Sequence, residues 1–132
     1  MTFLKPYGEQ LLSVLRIMSG LLFLQHGTTK YLSLPATKIS GASPLTLSGA
    51  AGVIELVAGV LIVIGLFTRP AAFVASGTMA VAYFLAHFPR GFFPLMNGGE
   101  LAVLYCFVFL YLAAVGGGAW SVDAVIGRKK AA

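Results

Sequence analysis

Residues 49–69, GAAGVIELVAGVLIVIGLFTR, form an apolar run with one acid inside it, Glu55. A run of this length crosses a bilayer as a helix, which takes about 20 apolar residues. A charge at the centre of such a helix costs about 2.5–3.5 kcal/mol on insertion scales. Glu55 therefore needs a partner, a proton or a water-filled cavity. Arg16, inside the first apolar segment, has the same need. Counted at a rise of about 1.5 Å per residue, Glu55 lies roughly 10–12 Å and Arg16 roughly 15–18 Å below one membrane surface. The difference of about 6 Å is within an arginine's reach, and the planar guanidinium suits a carboxylate through two hydrogen bonds. The spacing predicts an Arg16–Glu55 pair. Such a pair either fixes helix register or lines a polar site that binds or relays charge.

Nearer the same surface lie His26, His87 and Glu100, with Lys30, Tyr83 and Asn97 at similar depth. Snorkelling of polar side chains at helix ends is the plain reading of such residues. The chemical reading is a site for a quinone ring, which needs hydrogen-bond partners at its carbonyls and a proton donor on reduction. In that reading His87 and Glu100 protonate the ring, His26, Lys30, Tyr83 and Asn97 help hold it, and Arg16 supports the charge of Glu55. Glu55 is the deeper proton donor. Two histidines at like depth also suit haem, but both are shallow and nothing else marks a haem pocket. No ligands cluster at zinc spacing, and no metal site is expected.

The elements that position these groups are membrane helices. Of 132 residues, 58% are apolar and only 10% charged, against about 25% charged in a soluble domain; the mean hydropathy is +0.92. The pattern predicts an all-α integral membrane bundle of four antiparallel transmembrane helices in a single domain, with spans at about 9–27, 49–68, 70–88 and 98–116. A loop over 31–47 is a candidate lid. Thr68-Arg69-Pro70 is read as a tight turn, with Pro70 opening the third span. Ser76, Ala80, Tyr83 and His87 form a polar stripe placed inward. Glu100, Phe107 and Tyr111 share a face of the fourth span. Gly52 and Gly59 flank Glu55 at helical spacing and, with Gly20 and Gly27, allow close helix approach, within the chain or in a homodimer.

The net charge of +5 resides mainly at chain ends and in loops, so it reads as an orientation signal and not as a nucleic-acid surface. Lys5, Arg69, Arg128, Lys129 and Lys130 lie on the side of the termini; Lys30, Lys38 and Arg90 lie opposite. The excess predicts cytoplasmic termini. The single cysteine, Cys106, forms no internal disulfide or Cys-x-x-Cys pair and reads as a small buried residue.

Motifs along nearly the whole chain carry a resemblance. They are Arg16, Gly20 and Phe23-Leu24 before His26-Gly27 and Lys30; Glu55 and Gly59, then Gly65-Leu66-Phe67-Thr68-Arg69 and Ala71-Ala72; Met79 and Ala82; Asn97-Gly98-Gly99-Glu100 with Leu104-Tyr105; and Gly116-Gly117-Gly118 with Ser121-Val122-Asp123. In this order they resemble the DoxX family of small bacterial four-helix membrane proteins. Members are linked to membrane oxidoreductase systems, including a thiosulfate:quinone oxidoreductase with DoxX-like domains. The resemblance implies a quinone-related redox role in the bacterial cytoplasmic membrane, without a catalytic residue set to carry over.

With no further soluble domain to hold a second redox centre, the chain is expected to be a component of a membrane oxidoreductase, in the lipid bilayer with a protein partner or a second copy. The alternative is a non-catalytic membrane scaffold or chaperone whose polar core only fixes the fold. A small-molecule carrier is a third reading, weakened by the lack of paired broken helices.

Overall fold

The computed structural model describes residues 2–131, which form helices joined by turns and loops and contain no strand. A short 3-10 helix, Thr2–Tyr7, leads into α1, Gly8–Leu32. This helix runs past the end expected near residue 27 and stops only at Ser33, which takes the left-handed conformation. A glycine inside a helix costs about 1 kcal/mol. Here the loss is offset by close packing: a Cβ on Gly27 would sit 2.7 Å from the Leu56 nitrogen of the next helix.

That helix is α2, Leu47–Ile64, capped by the Thr46 hydroxyl, which accepts from the Gly49 N–H at 3.0 Å. Gly65, with φ +71, ends it. The expected turn at Thr68-Arg69-Pro70 is corrected. The turn comes earlier, and α3, Thr68–Ala82, already includes those three residues. The reason lies far along the chain. The Asp123 carboxylate accepts the N–H groups of Phe67 and Thr68 at 2.9 and 2.8 Å and caps the start of α3.

α3 continues through a π-helical turn, Tyr83–His87, and a 3-10 turn, Phe88–Arg90. The short α4, Pro94–Asn97, precedes α5, Glu100–Val115, and α6, Val122–Ala131, closes the described chain. The segments 2–32, 47–64 and 68–90 are long and apolar enough to cross a membrane, while α5 is apolar but only 16 residues long. The chain is a multi-pass membrane protein, with large apolar residues such as Met18, Val57, Phe73 and Phe107 exposed around its outside.

α1 packs on α2, α2 on α3, and α3 on α5. The small residues of the first two helices are used within the chain. A Cβ on Gly59 would stand 3.0 Å from Leu24, and one on Gly20 3.0 Å from Ile62. The core centres on Phe23, Ile62, Phe109 and Leu112, all fully buried. The Phe23 and Phe109 rings meet edge to face at 4.9 Å, and Tyr105 stacks on Phe109 at 5.5 Å. Within α5 the buried positions are Ala102, Tyr105, Phe109 and Leu112. Glu100, Phe107 and Tyr111 share the outward face.

Candidate functional site

Arg16 does not meet Glu55. The guanidinium is fully buried at the terminal end of the bundle and donates only to backbone carbonyls. Its Nε reaches Gly117 O at 2.8 Å, one terminal nitrogen reaches Ile62 O and Val63 O, and the other reaches Trp120 O at 2.6 Å. The last turn of a helix leaves its carbonyls without intrahelical partners. Arg16 satisfies those of α2 and ties them to the glycine-rich segment after α5. Gly65 leaves room for this, because a Cβ there would lie 3.0 Å from the Arg16 Cζ. Asp123 completes the cluster. Burial pushes its carboxyl up, but the Thr68 and Phe67 N–H groups and the charge of Arg16 outweigh burial and hold it below the ordinary carboxylate value. The predicted Arg16–Glu55 pair is thus corrected: unpaired carbonyls at a helix end offered the guanidinium more acceptors than one carboxylate.

Glu55 pairs instead with Lys30, Nζ to Oε2 at 2.7 Å, with side chains only 8% and 5% exposed on the lysine and the glutamate. Two glycines make this possible. Gly27 lets α1 lie against α2, and Gly52 provides the channel for the lysine stem, since a Cβ there would stand 2.8 Å from Lys30 Cδ. The Tyr31 hydroxyl donates to Gly49 O at 2.7 Å and holds the same crossing. Among the described residues, Oε1 of Glu55 makes no protein hydrogen bond. A buried pair needs its remaining valences satisfied to offset desolvation, and this one keeps a carboxylate oxygen and two ammonium protons unused.

Glu55 lies on the wall of two spaces. The inner one is a cavity of about 230 Å³ lined by His26, Glu55, Met79, Ala82, His87 and Tyr105, among others. The His87 Nδ1 lies 3.2 Å from Asn97 O. A carbonyl only accepts, so Nδ1 carries the hydrogen and Nε2 is left for a ligand. His26 makes no hydrogen bond among the described residues, and its ring meets the edge of Tyr105 with centroids 6.4 Å apart. The second space, a groove of about 420 Å³ between α2 and the end of α3, is lined by Lys30 and Glu55 and otherwise mainly by apolar side chains.

The structure therefore brings His26, His87 and Glu55 to one cavity, with Lys30 behind Glu55. It leaves four of the predicted residues in other places. Arg16 is at the opposite end. Glu100, the first residue of α5, is exposed and not on the cavity wall. Tyr83 and Asn97 hold the backbone that carries His87. The Tyr83 hydroxyl donates to Phe92 O at 3.0 Å, and the Asn97 side-chain nitrogen donates to Gly91 O at 2.8 Å, while its oxygen accepts from Gly99 N at 2.8 Å. The π turn also stacks the Tyr83 ring near His87, at 22° and 6.4 Å.

Tyr105 is a polar residue of the cavity wall that lies outside the set of site residues expected from the sequence. It is 4% exposed, and its hydroxyl makes no hydrogen bond among the described residues. A buried tyrosine hydroxyl normally finds a partner. The usable signal was its position seven residues after Gly98, on the small-residue face with Ala102.

The chemistry available in the cavity is that of two imidazoles, a phenol and an ion-paired carboxylate around an otherwise apolar space. Such a set can bind a flat polar ring and exchange protons with it. Comparison with known proteins places this arrangement in context. The family model described as DoxX matches residues 11–88, which include Arg16, His26, Lys30, Glu55 and His87. A Haemophilus influenzae protein described as uncharacterized is 45% identical over 130 residues, covering 93% of this chain and 96% of its own. No solved structure matches the sequence.

Proposed function

This chain belongs to the DoxX family, and from that premise we propose that it is a quinone-binding subunit of a membrane redox system. The observation that carries the reading is the Lys30–Glu55 pair on the wall of a cavity that also presents His26, His87 and the Tyr105 phenol. Buried ionisable groups within membrane helices mark functional paths by default. The same pair, used only to fix helix register, would need no cavity beside it.

The topology proposed is four antiparallel spans, with α5 as a short fourth span that a locally thinner bilayer accommodates. The termini are placed in the cytoplasm of a bacterium. Lys30 is internal and neutralised by Glu55, so the loop side keeps only Lys38 and Arg90 against five bases on the terminal side. That widens the positive-inside margin.

A bound quinone supplies an acceptor for two electrons and two protons, the electrons coming from a donor outside this chain. His26 and Tyr105 would hydrogen-bond the ring carbonyls. His87, with Nδ1 fixed by Asn97, would hold a proton at Nε2 for transfer. Glu55, ionised in its 2.7 Å pair with Lys30, would take the second proton from the Lys30 ammonium and pass it to the ring, leaving a neutral amine to be reprotonated.

The test is binding of a benzoquinone to the purified protein in nanodiscs. His26→Ala and His87→Ala are expected to weaken binding about tenfold each, the worth of one good hydrogen bond to the ring. Glu100→Gln, outside the cavity, should leave it unchanged. Unaltered binding in the His26/His87 double variant, or no binding by the wild type, would return the chain to the scaffold reading.

A further inference from the structure

Gly77 sits near the middle of α3 and has neither of the usual reasons to be glycine. Its φ is not left-handed, and a Cβ built on it meets nothing within 4 Å. An alanine there would favour the helix by about 1 kcal/mol. What the glycine does provide is room, because it lines the 420 Å³ groove between α2 and α3. Ala50, Ala51, Ala82 and Ala86 line the same groove, so small side chains from both helices contribute to its lining.

This groove and the inner cavity share two residues, Glu55 and Ala82. Those two residues therefore border both spaces and form part of the partition between them. The outer space faces the lipid side of the α2–α3 pair, where Leu47, Val81 and Leu85 are exposed. The groove is apolar except at the Lys30–Glu55 pair and at the hydroxyls of Ser48 and Thr78.

We infer that the groove is a second subsite, which takes the apolar tail of a prenylated or alkylated quinone whose ring occupies the inner cavity. The inference rests on the quinone reading and deepens it by naming the part of the ligand that this chain selects. The tail lies between α2 and α3 in contact with the lipid, the ring passes the Glu55–Ala82 partition, and the ligand reaches its site sideways from the bilayer. Gly77 and the four alanines keep that path open. A second copy of the chain packed on the small-residue lining is the competing occupant.

The experiment compares two probes in nanodiscs, a dimethoxy-methyl-benzoquinone with a decyl tail and the same ring without the tail. The wild type should prefer the tailed probe over a matched empty-nanodisc control. Gly77→Leu extends a side chain into the open groove, and Gly77→Ala adds one methyl group that nothing opposes. Gly77→Leu should weaken the tailed probe about tenfold or more, as displacing two or three methylenes of the tail would do. It should leave the tailless probe within a factor of about two. Gly77→Ala should bind both probes as the wild type does. Both variants should melt at or above the wild-type temperature, since each removes a helical glycine. Equal loss of the two probes in Gly77→Leu, or loss of neither, overturns the tail subsite while the quinone reading stands. A change of oligomeric state in Gly77→Leu without a change in tail preference assigns the groove to a second copy and overturns the inference. Wild-type protein that binds neither probe removes the quinone reading and the subsite with it.

Discussion

At the terminal end of the bundle, a fully buried arginine satisfies four carbonyls, and Asp123 receives two N–H groups from the start of α3. Both charged groups of this cluster are matched to backbone and have little capacity left over. At the loop end, the Lys30–Glu55 pair is as deeply buried but rests on a single 2.7 Å contact, next to two spaces. His26 and Tyr105 add further unpartnered groups, and His87 adds a free Nε2. Both ends bury charge and both border a pocket, but only at the loop end does a buried ion pair keep hydrogen-bonding capacity directed into one; at the terminal end the buried unpartnered group on the pocket wall, among the described residues, is the neutral Thr68 hydroxyl. Burial alone therefore does not distinguish a structural charge from a functional one. The unused valences do.

The largest expected effect lies at the terminal end. Arg16→Met removes the donor from carbonyls at the end of α2 and in the segment after α5, at about 1–3 kcal/mol for each one left stranded. The loss should exceed about 3 kcal/mol, read as a large drop in melting temperature in detergent. Arg16→Lys should rescue little, because an ammonium cannot span carbonyls this far apart in a plane. Combined with Glu55→Gln, the Arg16 effect should add within about 0.5 kcal/mol. Strong coupling between the two would contradict the separation of the two ends.

Next in size is Lys30→Met. It strands the Glu55 carboxylate and should cost about 3 kcal/mol, with part of the loss relieved by water entering from the adjoining spaces. Lys30→Met with Glu55→Gln should recover about 0.5–3 kcal/mol of that. A stable double variant that no longer binds quinone would sharpen the contrast, since the pair would then be dispensable for folding and required for the ligand.

The smallest effect concerns Asp123. Its carboxyl is held below the ordinary carboxylate value in the folded protein. Its stabilisation is therefore fully present above the unfolded value, about 3.9, and is lost as pH falls through the lower folded value. Asp123→Asn should cost about 1 kcal/mol near neutral pH, as the loss of a helix cap does. It should also flatten the acid limb of a plot of melting temperature against pH. An acid limb unchanged in Asp123→Asn would show that the capping contacts seen here do not govern acid stability.

Several features were legible from composition and spacing. An apolar run interrupted by Glu55 specifies a membrane helix with a buried need, because the cost of charge in lipid does not depend on the rest of the fold. The glycines at 20, 27, 52 and 59 likewise announce close helix approach, because only a missing side chain permits it. The DoxX resemblance matches the family to which the chain belongs.

Which charge meets which was decided only by the tertiary structure. Depth along a helix axis left Arg16 and Glu55 within reach of each other, but it carries no information on rotation about the axis or on where a helix stops. Continuation of α1 through Lys30 and the glycine channel at Gly52 gave Glu55 its lysine. The exposed carbonyls of Ile62, Val63, Gly117 and Trp120 drew Arg16 away. In α5, where nearly every residue is apolar, no hydrophobic contrast marks the inner face. Tyr105 was assigned to the cavity and Glu100 to the outside by packing against α1 and α3 alone.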